Sequence, residues 1–592
     1  MTELSRRGIL PVVAYFSLVS VSSAFWLMTI SQVRIFFFPP DALYFFSSLP
    51  LSYWVGLSSC VLSILLVATT AKDRVAEFAK LPALLLLVLY LYGIPVFCYE
   101  NPRFTDPYMH LAQSVFIMAR GSYSLPGIRY ASEFPTAFVG FAEMMILLKT
   151  PALLFMKFFP LGVVLVLCFL TYSLAKSVGV KHPFVPAAFL VAINPFPIFH
   201  VSPQAFALVP YVLFWMMLLR NGRGGMSPKS MMIAVILFLG ILTSNPTTAV
   251  FTVMAVIFSV VSVSVLSRGR WDRRAWTFFG LFVLFIAIVS TAWFIWVAPS
   301  TLRYLSELGG QALQGLEEVG LSVTPATPDP TYATALFFTE NSVLMYWAFA
   351  LITIVVVFFS RIRLGRRGTW LVAWLISAWA FLSFAIRIQP TFMMRSFLYG
   401  LFPLSIIVAM VLELRVREVD RRTLRYALKG LKVVALIMLV SAPGLLTVSR
   451  YSVDSFHYIP ASALYAADFT AARSEGEVLI LSPQAWEFRF YKALHGGAPD
   501  LWSSTIGSTY LVGIEISHGR AALHPSFPRR LGWADLVVFV DWTYNLCLVH
   551  DGSAELVHQE MQIEDLVRSR GNLVFSDSSV RIYHGSCDGC LS

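Results

Sequence analysis

Residues 151–176 read PALLFMKFFPLGVVLVLCFLTYSLAK. This run is longer than the roughly 20 apolar residues needed to cross the hydrocarbon layer of a bilayer. Comparable runs lie at 8–30, 51–70, 81–99, 184–201, 203–220, 230–247, 248–266, 275–297, 336–360, 369–388, 398–414 and 430–449. Together they predict a polytopic helical membrane protein of about thirteen transmembrane helices. The whole composition agrees. The 592-residue chain is 57% hydrophobic and only 13% charged, with mean hydropathy +0.71. An ordinary soluble chain carries about 25% charged residues, so this one has too little polar surface for water. Soluble enzymes, DNA-binding modules and disordered scaffolds are excluded.

The net charge of +11 is unevenly placed. From Arg450 onward there are 10 basic and 16 acidic residues, against 34 basic and 17 acidic residues before it. Of those 34, 25 fall in alternate connections, from Arg6 and Arg7 to the run 415–432. Lys and Arg accumulate on the cytoplasmic side of membrane proteins. The bias therefore reports topology, with the N-terminus cytoplasmic and the C-terminus outside, and it argues against a nucleic-acid partner. The first span reads as a retained signal anchor in the cell membrane.

Two domains are expected. Residues 1–449 form the membrane domain, with surface-lying helices in the 100–150 outer loop. Residues 450–592 form an extracytoplasmic α/β domain, with strand-length apolar runs at 477–482, 534–541, 572–576 and 579–583. Cys60, Cys98 and Cys168 sit in or beside apolar spans and read as small hydrophobes. Cys587 and Cys590 could pair or clip a metal.

The first outer loop opens with ENPRFTDPYMH (100–110). Pro107 suits the first turn of a helix, which places Asp106 as its N-cap. Asp106, His110, Gln113 and Ser114 then share one face of an amphipathic helix that Gly121 stops. An aspartate before proline serves either as a cap or as a functional carboxylate, and the residues alone leave both open.

Taken together, these features resemble the GT-C superfamily of membrane glycosyltransferases. The resemblance rests on the order of elements, on Thr105-Asp106-Pro107-Tyr108 and on Phe134-Pro135. It implies a sugar donor linked to polyprenyl phosphate, a protein, lipid or glycan acceptor, and a site on the non-cytoplasmic face among the membrane lipids. It also implies a carboxylate acting as general base, with Asp106 first and Glu100 second. Cationic side chains would hold the departing phosphate; Arg387 and Arg395, which flank an outer turn, lead here, with Arg103 and Arg303 behind. His110 and His200 are candidates for contact with donor or acceptor. The counterpart of a second acidic metal motif, around His200, has no carboxylate, so no cofactor is required and a divalent metal is not favoured. A lipid or sugar transporter (a flippase) and a non-catalytic subunit of the same fold are the competing classes. Charges deep in the spans are few, and no internal repeat is visible, which weighs against the first of these.

Overall fold

A computed structural model of the chain describes residues 3–35, 43–69, 77–124, 129–194, 200–221, 227–266, 273–303, 305–306, 330–359, 365–385, 390–414, 422–451, 458–473, 478–481 and 486–495. It also describes short segments of the tail at 510–512, 514–517, 520–523, 536–540, 564–565, 567–568, 572–577 and 580–584. Arg387, Cys547, Cys587 and Cys590 lie outside the described residues.

The chain begins with α1 (Glu3–Gln32), α2 (Leu51–Thr69) and α3 (Leu81–Cys98). Within α3, Leu89–Gly93 widens into a single π turn just ahead of Pro95. Proline has no N–H to offer the carbonyl four residues back, which here is that of Leu91. Tyr451 donates to that carbonyl at 2.8 Å, and Tyr53 donates to the neighbouring Tyr90 carbonyl at 3.1 Å. Two distant tyrosines thus satisfy a proline-induced break and pin α3 to the helices around it.

Three helices of the first outer loop follow: α4 (Asp106–Arg120), α5 (Arg129–Glu133) and α6 (Pro135–Leu148). The apolar series then resumes with α7 (Ala152–Val178), α8 (Phe184–Ile193), α9 (Pro203–Asn221), α10 (Pro228–Leu242), α11 (Pro246–Leu266) and α12 (Arg273–Trp296). It ends with α13 (Pro330–Phe359), α14 (Gly365–Ala385), α15 (Pro390–Glu413) and α16 (Arg422–Tyr451). Among the described residues, nine helices are long and apolar enough to cross a membrane, and α6, α8, α10 and 341–356 of α13 are shorter apolar helices. The chain is a polytopic helical membrane protein. The run expected at 184–201 behaves differently from its neighbours. Its helix, α8, stops after ten residues, where Asn194 turns extended before Pro195, as the residue before a proline is biased to do.

After α16 come α17 (Ala461–Arg473) and α18 (Trp486–Leu494). A five-stranded mixed sheet accompanies them, in the order β2-β1-β5-β7-β6. Its strands are β1 (Val478–Leu481), β2 (Tyr510–Val512), β5 (Leu536–Val540), β6 (Asn572–Asp577) and β7 (Val580–His584). A separate hairpin joins β3 (Ile514–Ser517) to β4 (Arg520–Leu523). β1 runs parallel to β2 and β5, whereas β5, β7 and β6 are antiparallel. Four of the strands coincide with the apolar runs read from sequence.

The tail is not detached from the membrane part. Tyr108, Leu111 and Val115 of α4 share a buried cluster with Ile459, Ala463, Phe488, Phe490, Val538 and Ile582. The apolar face of the first-loop helix is thus covered by α6 on one side and by α18 on another. Burying a large apolar side chain is worth about 1.5–3 kcal/mol, so this shared core fixes the position of α4.

Candidate active site

α4 is reached by a strained turn. Phe104 has φ of +70°, a conformation rare for a bulky residue. The helix starts at Asp106 rather than after it. Thr105 already has helical angles, and its carbonyl accepts from the Tyr108 N–H at 3.0 Å. Asp106 therefore sits in the first turn and not at the cap. It is exposed, and among the described residues nothing hydrogen-bonds its carboxylate. Gly121 ends the helix in the left-handed region, φ +67°, as expected.

One turn on from Asp106 lies His110. Its ring stacks nearly parallel on that of His200, 12° between planes and 6.5 Å between centroids, and meets Phe138 at 5.9 Å. The buried Nδ1 of His110 has no hydrogen-bond partner among the described residues. Burial pushes its pKa down to about 4; the nearby Asp106 pulls the other way and His200 adds to the depression. His110 is therefore neutral at physiological pH and remains a hydrogen-bonding group rather than a charge.

His200 continues into a small pocket of about 30 Å³ that it lines with Tyr92, Arg103, Phe104 and Lys157. The Arg103 guanidinium lies 4.1 Å over the Phe104 ring and 4.5 Å over that of Tyr451, and it donates to the Arg450 carbonyl. Lys157 donates to the carbonyl of Tyr99 at 2.7 Å and to that of Glu100 at 3.4 Å. Glu100 itself is exposed. Its N–H bonds the Ile35 carbonyl at 3.1 Å, so the segment that follows α1 braces the start of the loop. Asn101 does the same toward the tail, donating to the Ile459 carbonyl at 3.0 Å.

Behind the pocket stands Arg450, fully buried near the end of α16. It donates to the Asn194 carbonyl at 2.7 Å and to that of Val191 at 2.8 Å, where α8 ends, and lies 4.5 Å over Tyr92. A cation at a helix C-terminus meets the negative end of its dipole. On the other side of α7, Phe155, Phe158, Phe159 and Val163 border an apolar groove of about 620 Å³, completed by Leu148 of α6 and Phe206 of α9.

A second acid–arginine cluster lies further along the loop. Glu133 is buried and accepts from the Thr301 hydroxyl at 2.7 Å and from that of Ser300. Tyr130 bonds Asn245 and lies within electrostatic reach of Arg395 and Glu133. Arg395 donates to the Thr247 hydroxyl at 2.9 Å. Thr248 and Gln204 complete the network around the Tyr399 hydroxyl.

Of the expected residues the pocket brings together His200 and Arg103; His110 stacks on His200 without lining the pocket, and Asp106 and Glu100 stand exposed in the same loop. Arg395 belongs to the Glu133 cluster, and Arg303 is exposed. Sequence reasoning passed over three charged residues. Lys157 and Glu133 were visible as lone charges in apolar company, a recognised sign of function or pairing. Arg450 read only as the edge of the last span. Among the described residues, no group of three or more His, Cys, Asp or Glu side chains is placed to hold a metal ion.

No protein-family model and no curated protein matches the chain in sequence. Solved structures do match its fold. ArnT from Cupriavidus metallidurans, bound to undecaprenyl phosphate, aligns with a TM-score of 0.51 at 12% identity, over 86% of this chain and 98% of that one. The oligosaccharyltransferase of Archaeoglobus fulgidus, in its apo form, aligns with a TM-score of 0.52 at 13% identity, over 88% of this chain and 75% of that one. The fold is that of the GT-C membrane glycosyltransferases.

Proposed function

We propose that the protein is a glycosyltransferase that moves a sugar from a polyprenyl-phosphate-linked donor to an acceptor on the non-cytoplasmic face of the membrane. The observation that carries this reading is an exposed loop carboxylate, Asp106, followed one helical turn on by His110, whose ring stacks on His200 at the wall of a pocket that Arg103 and Lys157 also line. The fold it shares with ArnT, whose structure holds undecaprenyl phosphate, supports the choice of donor. The apolar groove beside α7 supports it too, since a lipid phosphate needs a greasy channel next to a charged one. The Lys and Arg bias of the connections supports the orientation, with the N-terminus inside and the loop and tail outside.

In this reading the acceptor hydroxyl oxygen attacks the anomeric carbon, and the bond from that carbon to the phosphate oxygen breaks. Asp106 takes the acceptor proton, with Glu100 the second choice. The phosphate leaves with the bonding electron pair, and Lys157 and Arg103 meet its charge with preorganised donors. His200, which lines the pocket, and His110, kept neutral by burial and stacked on it, orient the reacting groups. Arg395, held by Thr247, shapes the loop from the Glu133 side. The reaction needs no metal for charge balance when two cations flank a single phosphate.

The test uses the full chain in proteoliposomes, supplied in turn with polyprenyl-phosphate-linked sugars, with release of polyprenyl phosphate read by mass spectrometry. The native chain is expected to turn over at least one donor, and Asp106→Asn to lose at least a hundredfold in rate. Unchanged turnover in that variant would remove Asp106 from the chemistry.

A further inference from the structure

We infer, resting on the reading above, that Glu487 of α18 is a positioning residue of the reaction, through which the tail sets where Asp106 stands. Uncharged, its side chain seats α18 on α4; ionised, it loosens that seat.

α4 is held from two sides. Tyr108 lies two residues past Asp106, roughly 200° around the helix, so the two occupy nearly opposite faces. One turn on from Asp106, His110 meets Phe138 of α6. On the Tyr108 face stands α18. The Phe490 ring meets that of Tyr108 edge-on, 5.7 Å between centroids and 84° between planes. Glu487 precedes Phe490 by three residues and Tyr491 by four, and so shares their face. Tyr108 lies within electrostatic reach of both Glu487 and Tyr491. Whatever seats α18 therefore fixes the roll of α4 about its axis, and with it the Asp106 carboxylate. A shift of about 1 Å at a reacting group can cost on the order of a hundredfold in rate.

The seat itself is polar. Glu487 and Tyr108 are fully buried, and among the described residues neither carboxyl oxygen nor the phenol hydroxyl has a hydrogen-bond partner. From α17, Tyr465 and Asp468 act on Tyr491, and Asp468 bonds His495 at 2.9 Å. Tyr458, just before α17, acts on Tyr108. Arg489 and Lys492 stand two and five residues along α18, off the face that Glu487 shares with Phe490. Burial pushes the Glu487 carboxyl up to about 7, against the opposing pull of its own backbone N–H. A neutral carboxyl and a phenol are matched as donor and acceptor, whereas a buried carboxylate with no bonded cation is costly. The contribution to docking is present below about pH 4.5 and is lost as the pH rises through about 7. Ionisation thus frees α4 to roll, and Asp106 loses its place.

The experiment measures kcat and KM of the full chain in proteoliposomes from pH 6 to pH 8.5, with a donor that it turns over in the test above. The native kcat is expected to fall at least fivefold with a midpoint near 7, and KM to change less than twofold. Glu487→Gln, which cannot ionise, is expected to vary less than twofold in kcat over the same range. Should Glu487→Gln fail to fold, hydrogen exchange of the native chain decides. Protection in α4 and α18, corrected for the intrinsic pH dependence of exchange, is expected to drop at least tenfold between pH 6 and pH 8.5. Equal protection at the two pH values overturns the inference. A flat native profile, or a falling limb that persists in Glu487→Gln, overturns it too while leaving the reaction at Asp106 standing. Turnover of no donor at any pH overturns both this inference and the function from which it starts.

Discussion

The first outer loop contributes two acids, Glu133 and Asp106, whose surroundings differ in state. Around Glu133 the polar side chains are held: a buried carboxylate takes two hydroxyl donors, Arg395 donates to Thr247, and Thr248 links Asn245 to Tyr399, which Gln204 also bonds. Around Asp106 the opposite holds. The carboxylate is exposed, nothing described bonds it, the neighbouring imidazole has an unpartnered nitrogen, and the approach is strained at Phe104. Satisfied networks rigidify; unsatisfied polar groups beside a cavity stand ready for a ligand. The comparison assigns the buried acid to holding the loop in place and leaves the exposed one as the base of the proposed reaction.

The largest effect that would break this distinction is catalytic. Asp106→Asn should cost about 10²–10⁴ in turnover, the usual contribution of a positioned general base, with no change in thermal stability. Glu133→Gln, measured alongside, should keep measurable turnover.

A third acid sharpens the contrast. Glu487 of α18 is fully buried against α4, and neither carboxyl oxygen has a partner among the described residues. Burial raises its pKa from 4.5 to about 7. The folded chain therefore holds a proton that the unfolded chain releases. Stability present below about pH 4.5 is lost as the pH rises through about 7. Glutamine cannot ionise. At pH 8, Glu487→Gln should strengthen the docking of α18 by about 3 kcal/mol, read as slower hydrogen exchange in α18 and α4. Equal exchange in both proteins would show that the carboxyl is already solvated.

Smaller again is the effect on the clamp. Glu133→Gln keeps one acceptor but loses the charge that strengthens two hydroxyl bonds. Its expected cost is about 1–3 kcal/mol of stability, seen as a lower melting temperature. The least effect is expected at His110. Protonating only near pH 4, it contributes no limb to the pH–rate profile between pH 5 and 8, so His110→Gln should give a curve of the same shape. A native inflection near 6.5 that vanishes in the variant would contradict the burial of this ring.

The membrane class was legible because apolar length is a strong signal, and the start and end of α4 were legible because Pro107 and Gly121 punctuate it. Four strands of the tail were legible as apolar runs. β2, β3 and β4 were not, because runs of three or four residues fall below the length at which strand patterning separates from noise. α17 was missed because its alanines carry no strong periodicity. The helix start at Asp106 was displaced by one residue, since the helical angles of Thr105 come from its surroundings. That Lys157 shares a pocket with Arg103 and His200 while Arg395 bonds Thr247 is a tertiary fact. One sequence cannot show that the α8 carbonyls would be closed by Arg450 from the far end of the membrane part.

The most direct measurement is an electron cryomicroscopy structure of the full chain with undecaprenyl phosphate. Phosphate density should lie against Lys157, Arg103 and His200, on the Asp106 side of the loop. Phosphate density at the Tyr130, Glu133 and Arg395 cluster would reverse the roles of the two regions and contradict the account.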